Sequence, residues 1–387
     1  MLFKKVVEVI LSKIILPGST IGIIGGKHLS RMMAIAAKQM GLKVVIIDPD
    51  DNCPASSIVD KQILSDINDE LGLIQLADSC DVITYEYESV NSVALDYLEK
   101  VAYVPQGTMG LSVTQDRILE REFLNNHLIN IAPYETVIVV SDVREAIQKL
   151  GYPCMVKRAR RNPYEEEVVL IQSSQDVDKV VPLIQKGACI VEPVLSIKKE
   201  LFISIGINRN GEYTLFPIVE TVPDVNHDLS DVVAFFEAEE LTEDLKNQIY
   251  LIAKVVASEL NVSGVVGIEL FLTEENNLYV NEISARPHDY SLYTINGCNF
   301  SEYDVHIRGL CNWKLPTIWH YLPSVTFMIT NQNVDLVSGL INQKPNWHFH
   351  FYERLRREGE KRYGHVTVVT DDLEATQEEL RNLKILN

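Results

Sequence analysis

The chain has 387 residues, of which 46% are apolar and 23% are charged, and this composition is typical of a folded protein with several domains. Its formal net charge is -19, which argues against a nucleic acid or membrane partner, because phosphate groups attract basic surfaces. No apolar run reaches the length of a membrane span, and the six cysteines are scattered without zinc-type spacing. We therefore expect small-molecule substrates and a cytoplasmic location.

Residues 1–112 are predicted to form a Rossmann-like domain behind an amphipathic N-terminal extension. We expect strands over residues 21–24, 43–47, 81–85 and 102–104, and a helix over residues 29–40. Strands that alternate with helices build a parallel sheet with right-handed crossovers, whose ligand edge lies at the carboxyl ends of the strands. The extension starts like a secretory leader, but charged residues interrupt its apolar run and no cleavage site follows.

Residues 113–195 are predicted to form a small α/β lid domain that begins with a helix-rich connector over residues 113–127. A β-α-β-β-α-β pattern follows the connector. Its predicted strands cover residues 135–140, 154–157 and 189–192, and its predicted helices cover residues 143–150 and 174–185.

Residues 196–318 are predicted to form the main subdomain and residues 319–387 a small β-rich subdomain. In the main subdomain, two strands flank a turn at Arg209, Asn210 and Gly211, and a long amphipathic helix covers residues 241–260. Two apolar, strand-like runs come next. The C-terminal subdomain has predicted strands over residues 325–330, 347–352 and 365–369.

The two apolar runs of the main subdomain each carry one acidic residue at matching depth, Glu269 in the first and Glu282 in the second. A turn-rich segment over residues 273–277 joins the runs, so they are predicted to form a hairpin with the two carboxylates side by side. Mg²⁺ favours one or two carboxylates together with the phosphate oxygens of a nucleotide. The pair is therefore a candidate Mg-ATP site, and an ordinary hairpin with solvent-facing acids is the alternative.

Three further residues suit a nucleotide. Lys157 ends a strand, where its ammonium can contact a phosphate oxygen, although a lone lysine there is more often a surface residue. Glu192 lies in an apolar run whose backbone groups suit an adenine edge, and Glu200 suits ribose hydroxyls. Each of these signals is weak alone.

The order of these residues along the chain resembles the ATP-grasp superfamily, in which two α+β subdomains hold ATP between them. The resemblance narrows to the 5-(carboxyamino)imidazole ribonucleotide synthase family, the ATPase subunit of phosphoribosylaminoimidazole carboxylase. It extends from residue 20 to about residue 370. It is carried by TIGIIGG at residues 20–26, AKQMG at 37–41, DVITYEYE at 81–88, QDR at 115–117, NE and RPH within 281–288, and GHVT at 364–367.

The resemblance implies an ATP-grasp fold that combines α/β and α+β parts, with an N-terminal pre-ATP-grasp domain. It implies that bicarbonate takes the γ-phosphoryl group of ATP to give carboxyphosphate, which carboxylates aminoimidazole ribonucleotide in purine biosynthesis. ATP and Mg²⁺ are the expected cofactors, and a homodimer is the expected assembly.

The resemblance also implies a role for each matching position. The expected metal ligands are Glu269 and Glu282. The expected ATP-binding residues are Arg117, Lys157, Glu192, Glu200 and Asn281. The expected catalytic residues near bicarbonate are Arg286, His288, Arg354 and Lys361, and the expected ribonucleotide-binding residues are Gly25, Gly26, Lys27 and Glu86.

The sequence departs from the family pattern at the substrate end. The family turn GGGQLGRM reads GGKHLSRM at residues 25–32, so Lys27 and Ser30 replace glycines. The glycine-rich loop TRxGGYDGKGQ is replaced by residues 158–168, which contain no glycine and carry three acids that would repel a triphosphate. Arginines in this loop are candidate replacement cations, and a solvated loop that no longer holds ATP is the alternative.

A third departure follows His288, where the family continues Asn-Ser-Gly-His and this chain has Asp289 and a bulky Tyr290. Because the departures gather at the substrate end while the fold-defining runs and the metal carboxylates persist, we expect a folded protein whose substrate end has been rebuilt or disabled. A divergent but active ligase is the first prediction. A ligase for a different carboxylate and amine pair, and a nucleotide-binding paralogue without turnover, are the alternatives. A Rossmann oxidoreductase is disfavoured because the first glycine run lacks the third glycine of the dinucleotide fingerprint.

Overall fold

The computed structural model describes residues 14–161, 168–222, 233–235, 238, 241–352 and 362–386. The strands of these residues form three sheets, of four, nine and four strands. The nine-stranded sheet contains the last nine strands of these residues, and both four-stranded sheets come before it in sequence. Within the same residues, no helix is long and apolar enough to cross a membrane.

The N-terminal sheet is parallel, as expected of a Rossmann-like layer. Its strands lie in the order β3-β2-β1-β4. They are β1 (Thr20–Ile24), β2 (Lys43–Ile47), β3 (Lys61–Ile63) and β4 (Val82–Tyr85), and the intervening helices are α1 (His28–Gln39), α2 (Glu70–Ser79) and α3 (Ser92–Val101). Strands β1, β2 and β4 are apolar and largely buried because elements cover both faces of the sheet, whereas the short edge strand β3 buries only Ile63.

The strand predicted over residues 102–104 is wrong. The backbone there leaves α3 and gives one ladder-like hydrogen bond, from Ile83 N–H to Tyr103 O at 2.9 Å. Pro105 follows at once and has no N–H to extend such a ladder. The fourth strand of the sheet is instead β3, whose three residues are too short for an alternating pattern to reveal.

The connector and lid follow the predicted order of elements. The connector consists of α4 (Thr108–Thr114) and α5 (Arg117–Asn126). The lid sheet is antiparallel with strand order β5-β8-β6-β7. Its elements are β5 (Glu135–Val137), α6 (Val140–Leu150), β6 (Cys154–Arg158), β7 (Val168–Ile171), a 3₁₀ helix (Ser174–Val180), α7 (Val181–Ile184) and β8 (Cys189–Pro193).

Two boundaries in the lid differ from the prediction. The strand predicted to reach residue 140 ends at Val137, because α6 already begins at Val140. The helix predicted over residues 174–185 is a 3₁₀ helix in its first half, and only its short second half is α-helical. The β-α-β-β-α-β pattern itself is confirmed.

The central sheet has the strand order β14-β13-β9-β11-β12-β15-β17-β16, with β10 paired to β9. Its first strands are β9 (Ile197–Ile207), β10 (Tyr213–Leu215), β11 (Val219–Val222), β12 (Val233–Phe235), β13 (Gly264–Thr273) and β14 (Leu278–Ser284). The helices of this region are α8 (Glu243–Glu259), α9 (Thr294–Gly297) and α10 (Glu302–Leu310), with a short 3₁₀ helix (Asp289–Ser291) before α9.

The C-terminal strands continue the same sheet. They are β15 (Ser324–Thr330), β16 (His348–Phe351) and β17 (Arg362–Val369), accompanied by α11 (Val334–Leu340) and α12 (Leu373–Asn382). Because β15 pairs with β12, the C-terminal strands are joined to the main subdomain by backbone hydrogen bonds. The three predicted strands are confirmed, and the domain boundaries stay predictions.

A buried chain of hydrogen bonds joins the first domain to the main subdomain. His306 Nδ1 accepts from Val265 N–H at 3.2 Å, so the neutral ring carries its proton on Nε2 and donates to Thr84 Oγ1 at 2.9 Å. Thr84 in turn donates to Gln106, whose Nε2 donates to Ala285 O at 2.6 Å. The carboxyl end of β4 is thereby held beside the carboxyl end of β14, where the predicted site residues lie.

Candidate functional site

Glu269 and Glu282 face each other across the β13–β14 hairpin. The antiparallel register pairs them directly, between Ile268 opposite Ile283 on one side and Leu270 opposite Val280 on the other. Directly opposite residues on one face of a sheet have their side chains within reach of each other. The hairpin and its pair of carboxylates are therefore as the sequence predicts.

Asn281 is the extra residue of a β-bulge. Since Leu270 pairs with Val280 and Glu269 with Glu282, Asn281 has no partner across the ladder. In a regular strand it would point away from its neighbour Glu282. The bulge turns it towards the acids instead, and its Nδ2 donates to Glu269 Oε2 at 3.1 Å. One amide and two carboxylates thus share one side of the hairpin.

The pKa values of the two carboxyl groups are shifted in opposite directions. Burial and the charge of Glu282 raise the pKa of Glu269 well above its usual range. Burial also acts on Glu282, but the charges of Arg161 and Arg117 outweigh it and lower its pKa to about 2. Glu282 is therefore ionised at neutral pH, whereas burial and the charge of Glu282 disfavour ionisation of Glu269.

Lys157 and Glu192 contact each other. Lys157 Nζ on β6 lies 3.2 Å from Glu192 Oε2 on β8. The other oxygen of Glu192 accepts from Arg121 Nε and Nη2 at 3.0 and 2.7 Å. Burial opposes ionisation of Glu192, but Lys157 and Arg121 lower its pKa. Arg121 Nη1 also donates to Asn281 O at 2.9 Å and so ties the lid to the carboxylate hairpin.

Arg161 extends this network to the predicted metal ligands. Its Nη2 lies 2.9 Å from Glu120 Oε2 and 3.1 Å from Glu282 Oε2. Glu120 has no exposed surface, and its Oε1 accepts from Ile283 N–H at 2.8 Å. A residue of the replaced loop therefore neutralises one acid of the pair.

His288 lies beside the pair, with its Nε2 3.5 Å from Glu269 Oε1. Its Nδ1 accepts from Tyr290 N–H at 3.2 Å, so the neutral ring carries its proton on Nε2, directed to Glu269. Burial and the charge of Arg286 lower the pKa of His288 to about 4. The ring is neutral at physiological pH, and it stacks on Phe202 with ring centroids 5.1 Å apart.

Arg286 is held by an acid of the first domain. Its Nε lies 3.0 Å from Glu88 Oε1, which follows β4. The DVITYEYE run therefore supports the main subdomain as well as its own sheet. Arg354 and Lys361, the other two predicted catalytic residues, lie outside the described residues.

The predicted ribonucleotide-binding residues surround the start of α1. Glu86, which is buried, accepts from Lys27 N–H, Leu29 N–H and Ser30 Oγ at 2.9, 3.0 and 2.6 Å. Gly25 has φ +115°, and a Cβ at Gly26 would lie 2.4 Å from Cys53 Sγ. Glu86 thus caps the first turn of α1, and Ser30 adds a hydrogen bond that a glycine could not give.

Two models of known domains match the chain. The ribonucleotide synthetase preATP-grasp domain matches residues 18–115, and the ATP-grasp domain matches residues 122–303. The N5-carboxyaminoimidazole ribonucleotide synthase of Staphylococcus epidermidis is 33% identical over 93% of this chain and 95% of its own length. That of Staphylococcus aureus is 34% identical over 94% of this chain and 96% of its own.

The chain belongs to the N5-carboxyaminoimidazole ribonucleotide synthase family.

Solved structures agree with this assignment. The Staphylococcus aureus N5-carboxyaminoimidazole synthetase complexed with ADP superposes with a TM-score of 0.89 at 33% identity, covering 96% of this chain and 98% of that one. The synthase of Aspergillus clavatus complexed with ATP has a TM-score of 0.87 at 23% identity and shows the shared fold alone. The ATP-grasp and pre-ATP-grasp architecture expected from the sequence is confirmed.

Within this synthase fold, the structure gathers most of the predicted site residues around the hairpin. Arg117 lies near enough to lower the pKa of Glu282, and its Nη1 donates to Arg158 O at 3.0 Å. Glu200 on β9 lies within electrostatic range of Glu269. Gly25, Gly26, Lys27 and Glu86 gather at the start of α1, and Glu86 lies within electrostatic range of Arg286.

Four residues that sequence reasoning did not single out take part in the site. They are His28, Glu120, Arg121 and Glu302. Glu120 and Arg121 follow Arg117 on the buried face of α5, and charged residues there could have drawn attention, because buried charges are normally paired. His28 and Glu302 gave no local signal, since their partners are far away in sequence.

Proposed function

We propose that the protein carboxylates 5-aminoimidazole ribonucleotide with ATP and bicarbonate. The main support for this proposal is the pair of Glu269 and Glu282, which lie opposite each other with Asn281 beside them. Relatives that match 93% and 94% of the chain bear the name N5-carboxyaminoimidazole ribonucleotide synthase. In the proposed reaction bicarbonate takes the γ-phosphoryl group of ATP, and the resulting carboxyphosphate is attacked by the amine of the ribonucleotide.

The donor set suits Mg²⁺. Two carboxylates and an amide are hard oxygen ligands, and nucleotide phosphates normally complete the coordination of this ion. Among the described residues no group of three or more His, Cys, Asp or Glu could hold a metal alone, which fits an ion that arrives with its nucleotide. Glu269 and Glu282 are the proposed ligands, and the ion would neutralise triphosphate charge.

Several charged groups are proposed to bind ATP. Lys157 offers an ammonium to the phosphates, and Glu192 holds that ammonium in place at 3.2 Å. Glu200 on β9 is the proposed ribose ligand, and burial raises the pKa of its carboxyl. Arg117 is proposed to face the phosphates, since its positive charge already acts on Glu282.

Arg286 and His288 are proposed to position bicarbonate and carboxyphosphate. Arg286 supplies a fixed positive charge that Glu88 orients. The ring of His288 is neutral at neutral pH and supplies its Nε2–H as a hydrogen-bond donor. Such groups act by orientation and charge stabilisation. Arg354 and Lys361 are proposed to add positive charge, and Gly25, Gly26, Lys27 and Glu86 to contact the ribonucleotide.

Phosphate release from ATP tests the proposal. The purified protein is assayed with bicarbonate and Mg²⁺, with and without 5-aminoimidazole ribonucleotide, and the carboxylated product is measured. We expect release that the ribonucleotide stimulates. Phosphate release that responds only to another amine would show that the substrate is a different amine. Mg-ATP binding without any phosphate release would show that the protein binds nucleotide without turnover.

Binding of nucleotide without turnover is the second candidate function, and the position of Arg161 favours it. The guanidinium lies 3.1 Å from Glu282 Oε2, where it competes with a divalent cation. The Arg161→Ala variant distinguishes the two functions. If Arg161 blocks the ion, the variant binds Mn²⁺ at least about tenfold more tightly in a spin-resonance titration and gains turnover. Unchanged Mn²⁺ binding would remove this candidate.

A different amine substrate is favoured by one packing contact. Tyr290 lies edge-on against both His288 and Phe202, with ring centroids 4.4 and 5.4 Å apart. It fills space where the family has a small residue. The assay above, repeated with other amines, tests this directly.

The assembly and the location are also proposals. A homodimer and a cytoplasmic location are expected from the family. Analytical ultracentrifugation of the full chain tests the homodimer, whose measured mass should be twice the monomer mass of 43.8 kDa.

A further inference from the structure

One carboxylate joins three parts of the chain beside the proposed site. Asp289 Oδ1 lies 2.5 Å from His28 Nε2, and the other oxygen, Oδ2, accepts from Arg362 Nη1. His28 opens α1 and Arg362 opens β17, while Asp289 follows β14. The side chains of His28 and Asp289 are only 17% and 24% exposed. This contact links the first domain, the hairpin region and the C-terminal strands.

The ring of His28 is fixed on its other side as well. It stacks on Tyr352 with centroids 5.1 Å apart and an interplanar angle of 17°. Tyr352 is buried, and its hydroxyl is hydrogen-bonded to His365 Nδ1 at 2.8 Å. His28 therefore has little freedom to turn away from Asp289.

The contact lies between the two halves of the proposed active site. His28 directly follows Lys27, whose backbone Glu86 holds at the start of α1. Asp289 directly follows His288, whose Nε2 is directed to Glu269. The His28–Asp289 contact therefore joins the start of α1 directly to the segment that carries His288.

Both members of the contact differ from the family pattern. The family turn GGGQLGRM has glutamine where this chain has His28, and the family has asparagine where this chain has Asp289. This chain thus has an imidazole and a carboxylate where the resembled family pattern has two amides. Here His28 Nε2 and Asp289 Oδ1 share one hydrogen bond, so a change of either residue alone removes that bond.

We propose that His28 and Asp289, with Arg362, are positioning residues that hold the ribonucleotide-binding turn in register with the carboxylate hairpin. This inference deepens the proposed function and depends on it for the identity of the ligand. The contact itself, and its effect on the turn, do not depend on the substrate.

A double-mutant cycle tests the contact without any substrate. The variants are His28→Gln, Asp289→Asn and the double variant, which restores the family's two amides. Hydrogen exchange is followed at the amides of residues 25–31, where Lys27 and Leu29 donate to Glu86. We expect Asp289→Asn to speed this exchange about tenfold, and the double variant to recover most of the protection.

A matched control lies on the same helix. Lys38 Nζ pairs with Asp60 Oδ1 at 2.6 Å, with both side chains about 40% exposed. The variants Lys38→Gln and Asp60→Asn remove a similar charge from α1 far from the site. They should leave exchange at residues 25–31 unchanged. Two outcomes would overturn the proposal. One is that the control variants change exchange at residues 25–31 as much as the site variants do, and the other is that the rate factors of His28→Gln and Asp289→Asn multiply in the double variant.

Kinetics then separate positioning from mere stability. Each single variant should raise the KM for 5-aminoimidazole ribonucleotide at least about fivefold, with kcat and the KM for ATP changed less than twofold, and the double variant should recover. Equal changes in both KM values would overturn the role in the ribonucleotide half. If the unaltered protein shows no turnover with this ribonucleotide, the proposed function fails, and the exchange cycle still decides whether the contact positions the turn.

Discussion

Glu302 is a buried acid whose role could not be read from the sequence. Its side chain has no exposed surface, and its Oε2 accepts from His288 N–H at 3.0 Å. Burial raises the pKa of its carboxyl to about 7. It therefore positions the backbone of the predicted catalytic segment and lies within electrostatic range of Arg286.

The pH dependence of stability should reveal this acid. A folded-state pKa of about 7, above the usual carboxyl value of 4.5, means that Glu302 contributes stability below pH 4.5 and loses that contribution as the pH rises to about 7. The isosteric variant Glu302→Gln does not lose stability in this way, because its amide does not ionise. Between pH 4.5 and 7.5 its free energy of unfolding, measured in urea, should rise relative to the unaltered protein by about 3 kcal/mol. Parallel curves for the two proteins would contradict a protonated Glu302.

His288 makes the free energy of unfolding change with pH in the opposite direction. Its folded-state pKa of about 4 lies below the usual imidazole value of 6.5, so the neutral ring stabilises the fold above pH 6.5 and this contribution is lost as the pH falls towards 4. The variant Glu302→Gln and the unaltered protein both contain His288, so the contribution of His288 cancels in the difference between their free energies of unfolding.

At the scale of elements, the packing of α10 on the central sheet sets the position of the site. Gly206 on β9 lies under Val305 of α10, and a Cβ at Gly206 would come within 2.1 Å of Val305 Cγ1. The same helix carries Glu302 and His306, which hold the His288 segment and the first domain. Close approach of helix and strand therefore depends on this glycine.

A methyl group at Gly206 should displace α10. The variant Gly206→Ala should lower the free energy of unfolding by about 2 kcal/mol, because overpacking a filled core strains side chains and backbone. Gly339→Ala is the matched control, since Gly339 lies in α11 with nothing within 4 Å of its Cβ position. There the alanine should stabilise by about 0.5 kcal/mol. Equal melting temperatures for the two variants would contradict the packing argument.

The elements also show what sequence can predict. The hairpin of Glu269 and Glu282 was predictable because alternation and a turn define both strands and their register. The bulge at Asn281 was not, since only the pairing with β13 reveals the extra residue. The wrong strand at residues 102–104 and the missed β3 have the same origin, because strands of three residues carry too little pattern.

At the scale of the whole molecule, long-range contacts assemble the site from all parts of the chain. Glu88 of the first domain orients Arg286, Arg121 of the connector joins Glu192 to the hairpin, and Asp289 reaches both His28 and Arg362. Such contacts leave no periodic signal in the sequence. The family resemblance supplied the roles of the predicted residues, whereas their mutual support is visible only in the fold.

The central claim is that Glu269 and Glu282 together hold a divalent cation against bound ATP. The most direct measurement is calorimetry of ATP binding in the presence of Mg²⁺, for the unaltered protein and for Glu269→Ala, Glu282→Ala and Glu274→Ala. Glu274 is an exposed acid in the turn of the same hairpin and serves as the control. We expect the first two variants to lose metal-dependent binding by at least about a hundredfold while Glu274→Ala binds normally. Unchanged affinity in both Glu269→Ala and Glu282→Ala would contradict the account.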